Sequence, residues 1–251
     1  MKYGILFCGY NSEEYVRDSL KNFIDRDNFV ISAVSVPFLE YRNQEPFEDN
    51  TTNILREYLK EGKIHNLVDF PKFIKEADAR SLALDFLKDN DVDFLFIVDA
   101  DEIYSSEDIE NICEYVEKNY SCWYKVPLKN FVFDKKHYLE EPFCPPRIFR
   151  KSYFEYYLKA FYGDNDLNYT NTTNANIHLY QELENLEIPK EVAWVDHYTW
   201  LNDNIGKRKC FYQMDHFGHC GYKWNEEKEC VEFNEEFYRK HKLEIPKVVS
   251  L

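Results

Sequence analysis

Three carboxylates crowd the end of an apolar run in Asp93 to Tyr104, DFLFIVDADEIY: Asp99, Asp101 and Glu102. Like charges at that spacing repel unless something positive lies among them. A divalent cation, which takes hard oxygen ligands, is the simplest candidate. If extended geometry persists through residue 101, side chains two apart point the same way, so Asp99 and Asp101 face one site and Glu102 another. The same residues also fit a turn without chemistry, in which Ser105 or Ser106 caps the next helix and the acids favour its N-terminus. A second grouping, Cys210, Cys220 and Cys230 with His216 and His219 among them, suggests zinc, but its spacing matches no common structural site.

The elements that must position the acids follow from pattern. Phe94 to Val98 are apolar without alternation, as in a central parallel strand covered on both faces. In open α/β sheets ligands bind at the carboxyl ends of strands, which is where these acids fall. Upstream, Tyr3 to Cys8 reads as a strand ending at Gly9, Tyr10 and Asn11, after which Asn11 caps a helix with Glu14 completing a capping box. Phe29 to Phe38 reads as a second strand, and Glu40 to Asn50 as a loop. Thr51 or Thr52 starts a helix stopped by Gly62, and Ile64 to Val68 is a third strand. A helix over Lys75 to Asn90, with Ala79, Leu82, Ala83, Phe86 and Leu87 inward, delivers the chain into the acidic strand. Beyond it come a helix from Ser106 to Asn119, one long or two broken strands over Ser121 to Phe133, and a strand Arg147 to Arg150. An aromatic, Asn-rich stretch follows, then a strand Val192 to Trp200, a helix carrying Lys207, Arg208 and Lys209, and a charged tail. Alternating βα in front, with a less regular back half and no linker, predicts one α/β domain.

Composition narrows the function. The chain has 251 residues, enough to bury a core. Its 31 basic against 46 acidic residues, a net charge of −15, leave no positive footprint for a phosphate backbone or an anionic membrane surface. Nucleic acid is therefore not expected as a partner. No apolar run approaches the roughly 18 residues that span a bilayer, and the N-terminus shows no cleavable signal, so no membrane insertion and a cytoplasmic location are expected. Seven cysteines without a CxxC pair suit reduced thiols.

Several stretches, spread over residues 1 to 215, together resemble glycosyltransferases of the GT-A fold, closest to family 2. They are the strand ending in GYNSEEYVRDSL, the helix ADARSLALDFL, the DxD-like VDADE, the strand PPRIFRK, and DHYTW followed by KRK. The resemblance implies an α/β, GT-A (Rossmann-like) single domain over 1–251, with a mostly parallel central sheet flanked by helices and a less regular C-terminal acceptor half. Residues 1–104 would be the nucleotide-sugar-binding half and 105–251 the acceptor half and tail. It implies a metal-dependent hexosyl or pentosyl transfer from a nucleoside-diphosphate sugar to a hydroxyl acceptor such as a glycan.

The chemistry suits the residue types, because Mn²⁺ or Mg²⁺ stabilises charge developing on the diphosphate leaving group. By the same resemblance the metal would be held by Asp99, Asp101 and His197; His197 otherwise reads as a hydrogen-bonded structural histidine. Gly9, Tyr10 and Asn11 would floor the nucleotide pocket, Asp99 would reach the ribose or a metal-bound water, and Arg80 with one of Lys207, Arg208 and Lys209 would contact the diphosphate. An inverting enzyme needs a carboxylate to take the acceptor's proton. No ED pair stands where the family often keeps one, so Asp196 and Glu182 are the candidates, with Glu184 and Asp164 behind them. The chain departs from the family at VPFLEYRNQEP, where an Asp-rich turn for the nucleobase is usual. Two other functions fit parts of the chain: a GT-A-like nucleotide or sugar binder without catalysis, and a haloacid-dehalogenase-like phosphatase, whose fold normally opens on its FIVDADEIY-type strand.

Overall fold

Apolar runs without alternation become buried strands, and three of them lie side by side in a seven-stranded sheet of the described residues. The computed structural model describes residues 1–38, 49–154, 185–201, 204–217 and 220–251. By contacts the chain separates into two compact units, one of Met1–Pro127 with Cys144–Ala193 and one of Leu128–Phe143 with Trp194–Leu251. Neither is a single stretch of chain. The first unit runs β1 (Tyr3–Cys8), α1 (Glu13–Leu20), β2 (Phe29–Val34), α2 (Thr51–Lys60), β3 (Asn66–Val68), α3 (Glu76–Asp89), β4 (Phe94–Asp99), β5 (Glu102–Ile103), α4 (Ser106–Lys118) and β6 (Trp123–Lys125). The second then supplies β7 (Leu128–Phe133) and β8 (His137–Leu139), before the chain returns to the first for β9 (Pro146–Arg150) and β10 (Asn185–Glu187). The rest belongs to the second: β11 (Val195–Leu201), α5 (Asn204–Phe217), β12 (Tyr222–Asn225), β13 (Cys230–Phe233), α6 (Glu235–His241) and β14 (Val248–Ser250).

In the first unit the sheet order is β10-β6-β9-β4-β1-β2-β3, which puts β4 at the centre. Pairing is parallel except at β9, antiparallel to both its neighbours. Phe94 to Val98 are at most 1% exposed, as the unbroken apolar run requires. One face of the sheet, through Leu6, Val34, Leu95 and Ile97, packs on Ala79, Ala83, Leu84 and Leu87 of α3. The opposite face stacks Tyr3 with Phe29 and Phe94, while the Tyr3 hydroxyl donates to Glu117 of α4. This is a mixed α/β architecture with helices on both faces. Cys8 pairs with Val34 and with Asp99, so the carboxyl ends of β1, β2 and β4 share one edge. Because β9 runs the other way, its first residues arrive at that same edge.

Several local expectations change. Asn11 does not cap α1; it has φ 53°, in the left-handed region that Asn tolerates, and Ser12 takes the cap position without a side-chain bond to the helix N–H groups. The helix end is met from far away instead: Asp49 accepts from the Glu13 N–H at 2.8 Å through one oxygen and from the Thr51 N–H at 2.8 Å through the other, closing the first turns of α1 and α2 together. Leu82 is 45% exposed, because the buried stripe of α3 is Ala79, Arg80, Ala83, Leu84 and Leu87, into which Arg80 is admitted by ion pairs. β2 stops at Val34, ahead of Pro37, which has no N–H for a ladder. Gly62, at φ 73°, ends α2 as expected. Ser105 caps α4 in a full capping box with Asp108.

In the second unit β7 pairs β11 in parallel, β8 lies antiparallel to β7, and β14 lies antiparallel to β8. β12 and β13 form a hairpin whose Tyr222 and Val231 pack with Val132, Trp200, Cys210 and Cys220. The charged tail is therefore structured: Val248 and Val249 supply a short strand too brief to stand out by pattern, and the Leu251 N–H donates to the Lys136 carbonyl at 2.8 Å. No helix among the described residues is long and apolar enough to cross a membrane.

Candidate functional site

The carboxyl edge of the first unit's sheet gathers the chemistry-bearing residues. β4 ends at Asp99, and Ala100 and Asp101 form a turn. Extended geometry does not persist through residue 101, so the shared direction inferred for Asp99 and Asp101 does not follow from strand alternation. The turn lies over the end of β1, with the Ala100 N–H donating to the Cys8 carbonyl at 2.9 Å. Gly9 leaves room for it: a Cβ there would sit 3.0 Å from both the Ala100 Cβ and the Phe7 ring. Beside it the Tyr10 carbonyl accepts from the Ser12 hydroxyl at 3.1 Å, and the Asn11 Oδ1 accepts from the Asp49 N–H at 3.4 Å.

Something positive does lie among the acids, and it is arginine. Arg147, from the start of β9, donates through Nη2 to Asp99 Oδ2 at 3.0 Å, and through Nε and Nη2 to Glu102 Oε1 at 2.9 and 2.5 Å. Arg80, from α3, donates to Asp99 Oδ1 at 2.9 Å and through Nε to Glu76 Oε1 at 2.8 Å. Five side chains, Glu76, Arg80, Asp99, Arg147 and Glu102, thus alternate in sign along the sheet edge. Glu102, read from the sequence as serving a different site from Asp99, shares Arg147 with it and is fully buried. Burial by itself pushes the Asp99 carboxyl up; the guanidiniums of Arg80 and Arg147 outweigh it and hold the group below the ordinary carboxylate value. Burial works against the charge of Arg147 in turn, and Glu102 and Asp99 more than reverse this, raising its pKa. Arg80, expected at a diphosphate, is buried within this ladder.

The second unit holds the late candidates on β11. Consecutive strand residues point to opposite faces, and here Asp196 and His197 do so: His197 is buried, Asp196 half-exposed. The β7 register gives each its own partner, Lys129 opposite Asp196 and Asn130 opposite His197. His197 Nδ1 lies 2.5 Å from Asn130 Oδ1. On the other face the Lys129 ammonium sits 4.0 Å from Asp196 and 4.5–5.4 Å from the ring centroids of Tyr138, Phe131 and Trp194. Asp196 also accepts from the Tyr198 hydroxyl at 3.4 Å. Along α5, Lys207 pairs with Glu226 at 3.1 Å and lies over the Trp224 ring, Lys209 lies over Trp200, and Arg208 is half-buried. Glu182, Glu184 and Asp164 lie outside the described residues, as do the side chains of His216 and His219.

No protein-family model matches the chain, and no curated protein matches it. Solved structures do. The structure of TarS from S. aureus superposes with a TM-score of 0.54 at 16% identity, over 79% of this chain and 37% of that one. TarS 1–349 gives a TM-score of 0.55 at 16% identity, over 79% and 61%, and the same portion in complex with UDP-GlcNAc gives 0.55 at 16%, over 79% and 58%. The chain has a GT-A-like fold. It spans 37% of the whole TarS chain and about three fifths of the 1–349 portion.

Within this GT-A-like fold, strand order disagrees with the phosphatase alternative, because the strand that would open such a fold is the fourth in the chain. Among the described residues no group of three or more His, Cys, Asp and Glu side chains is arranged to hold a metal ion. Asp99 does not fit the part of direct ligand, since each of its oxygens accepts from a guanidinium. Asp101 stands on the turn past the strand end in the first unit, and His197 stands in the second with Nδ1 against Asn130. Sequence reasoning missed Arg147, Glu76, Asp49, Lys129 and Asn130 as partners. Only the Glu76–Arg80 pair carried a readable signal, the i,i+4 spacing of opposite charges.

Proposed function

We propose that the chain transfers a sugar, hexosyl or pentosyl, from a nucleoside-diphosphate donor to a hydroxyl acceptor with the help of Mn²⁺ or Mg²⁺. The observation that carries this reading is the Ala100–Asp101 turn at the carboxyl end of the central strand, seated on Gly9 and backed by a ladder that already neutralises Asp99 and Glu102. Asp101, on that turn, is the carboxylate this reading gives to a metal–diphosphate, and the ion would supply charge stabilisation for the departing nucleoside diphosphate. Support comes from the likeness in fold to TarS 1–349, which has been crystallised with UDP-GlcNAc and with UDP. Gly9, Tyr10 and Asn11 line the nucleotide side in this reading, and Asp99 acts through its arginines, as a fixed acceptor that sets the turn. His197 is the imidazole candidate for the metal. Asp196, paired with Lys129 on the opposite face of β11, is better suited to binding than to taking a proton at a centre that His197 serves. The general base is then Glu182 or another carboxylate.

Calorimetry with UDP, with and without Mn²⁺, tests the reading. The parent is expected to bind UDP more tightly with the metal, and Asp101→Ala to bind it equally with and without. An Asp101→Ala variant that keeps the parent's metal dependence would overturn the assignment. Release of nucleoside diphosphate from a nucleotide sugar separates a transferase from a binder, which retains donor unchanged.

A further inference from the structure

We infer that Asp49 is a positioning residue for the nucleotide edge: by tying the first residues of α1 and α2 to one carboxylate, it holds Gly9, Tyr10 and Asn11 in the conformation that meets the acidic turn. The inference rests on the reading of these three residues as the nucleotide side and deepens it. All the residues involved belong to the first unit. Asn11 has φ 53°, a left-handed backbone that a non-glycine residue keeps only where its surroundings impose it. On its amino side the sheet fixes the chain, since the Gly9 N–H donates to the Val34 carbonyl at 3.0 Å. On its carboxyl side the constraint comes from 36 to 39 positions later. The Ser12 N–H donates to Thr51 Oγ1 at 2.7 Å and the Glu13 N–H to Asp49 Oδ2 at 2.8 Å, while Asp49 Oδ1 accepts from the Thr51 N–H at 2.8 Å and so places Thr51 in turn. Two bonds run the other way, from the Asn50 N–H to Glu13 Oε2 at 3.1 Å and from the Asp49 N–H to Asn11 Oδ1 at 3.4 Å.

A carboxylate suits this place because it has two oxygens that only accept, and each serves a backbone N–H of a different helix; a carboxamide has one such oxygen. With both oxygens engaged, Asp49 acts through the backbone of residues 9 to 13 rather than on a ligand. Thr51 is fully buried and Asn11 is buried, so water is poorly placed to substitute for these bonds. The effect carries to the acidic turn by contact. A Cβ at Gly9 would meet the Ala100 Cβ at 3.0 Å, and the Ala100 N–H donates to the Cys8 carbonyl, so a shift of Gly9 to Asn11 displaces the turn that bears Asp101. Apparent affinity falls in proportion to the fraction of molecules that hold the binding-competent form, which is what a segment fixed before the ligand arrives keeps high.

The probe is UDP, titrated calorimetrically at one fixed Mn²⁺ concentration into the full-length parent, Asp49→Ala, Asp49→Asn and Tyr3→Phe, at a temperature where circular dichroism shows each of them folded. Tyr3→Phe removes the hydroxyl that bonds Glu117 at the opposite end of β1, and so weakens the same unit away from the nucleotide edge. Asp49→Ala is expected to bind UDP about tenfold more weakly than the parent, as a segment competent about a tenth of the time would. Asp49→Asn, with one oxygen left to accept, should fall between the two, and Tyr3→Phe should match the parent. Amide exchange followed by NMR without ligand gives a second readout: Ser12, whose acceptor is Thr51 and not Asp49 itself, should exchange faster in Asp49→Ala, with Gly9 as protected as in the parent. Parent affinity for UDP in Asp49→Ala overturns the inference, and so does an equal loss in Tyr3→Phe, which would trace the effect to stability alone. Should Asp49→Ala not fold, Asp49→Asn decides on the same two measurements. A parent that binds no UDP overturns the nucleotide reading and the purpose given to Asp49, whereas unchanged exchange at Ser12 overturns the positioning contact itself.

Discussion

Arg147 decides how the acidic turn is read at the scale of single residues. The sequence places three carboxylates within four residues and asks what neutralises them; a metal is the simplest answer from the sequence, and at Asp99 and Glu102 the structure answers with arginines from β9 and α3. Removing one partner of a buried ion pair leaves the other charged without compensation, a loss of about 3–5 kcal/mol, whereas removing both can be nearly neutral. Arg147→Met should therefore lower unfolding free energy by about that amount in a urea titration, and Arg147→Met combined with Glu102→Gln should recover a large part of it. A single variant as stable as the parent would show that the ladder does not hold this edge together. Asp99 adds a pH dependence. Its folded pKa is depressed, so its contribution is complete above the unfolded value of about 3.9 and is lost as pH falls through the lower folded value. Asp99→Asn should make the decline of stability below about pH 4 shallower, and an unchanged acid limb would contradict the ladder.

At the scale of elements, what could be read was whatever chain neighbours decide. The central strand, the first strand, the stop of α2 at Gly62 and the Ser105 cap of α4 follow from apolar runs and local turn chemistry, and each stands where the sequence put it. What could not be read was decided by residues distant in sequence. The N-terminus of α1 is closed by Asp49, which lies 36 positions after Glu13, so the Asn11 and Glu14 box was the natural local guess and the wrong one. Arg147 reaches Asp99 across 48 positions only because β9 runs antiparallel beside β4, a pairing that no local pattern announces. The Asp49 cap makes a sharp prediction. Each N-cap bond is worth about 1 kcal/mol, so Asp49→Ala should cost about 2 kcal/mol and Asp49→Asn, with one oxygen left to accept, about half of that. Loss of less than about 0.5 kcal/mol in Asp49→Ala by chemical denaturation would mean that solvent replaces the carboxylate at both helices.

The whole molecule carries a net charge of −15, which repels an anionic donor unless positive charge is placed locally, and its two compact units each have their own core. The cores differ in how the chain builds them. The first unit's sheet is assembled around consecutive βα segments, while the second joins two stretches, 128–143 and 194–251, and depends on its last residues. β14 pairs along the edge of β8, Lys247 pairs with Glu140 at 2.6 Å, and the Leu251 N–H reaches the Lys136 carbonyl. Since β8 meets β7 at the single pair Phe131 and Tyr138, β14 supplies much of what orders it. A chain ending at Pro246 removes these bonds and leaves the first unit's strands intact. Local opening should then increase where backbone bonds have been lost and nowhere else, because exchange reports the stability of the cooperative unit to which an amide belongs. Hydrogen exchange followed by mass spectrometry should show faster exchange across His137 to Leu139 in the shortened chain, with β1, β2 and β4 as protected as in the parent. Unchanged exchange at His137 to Leu139 would show that the tail contributes nothing to β8, and a matching loss in the central sheet would show that the two units unfold as one.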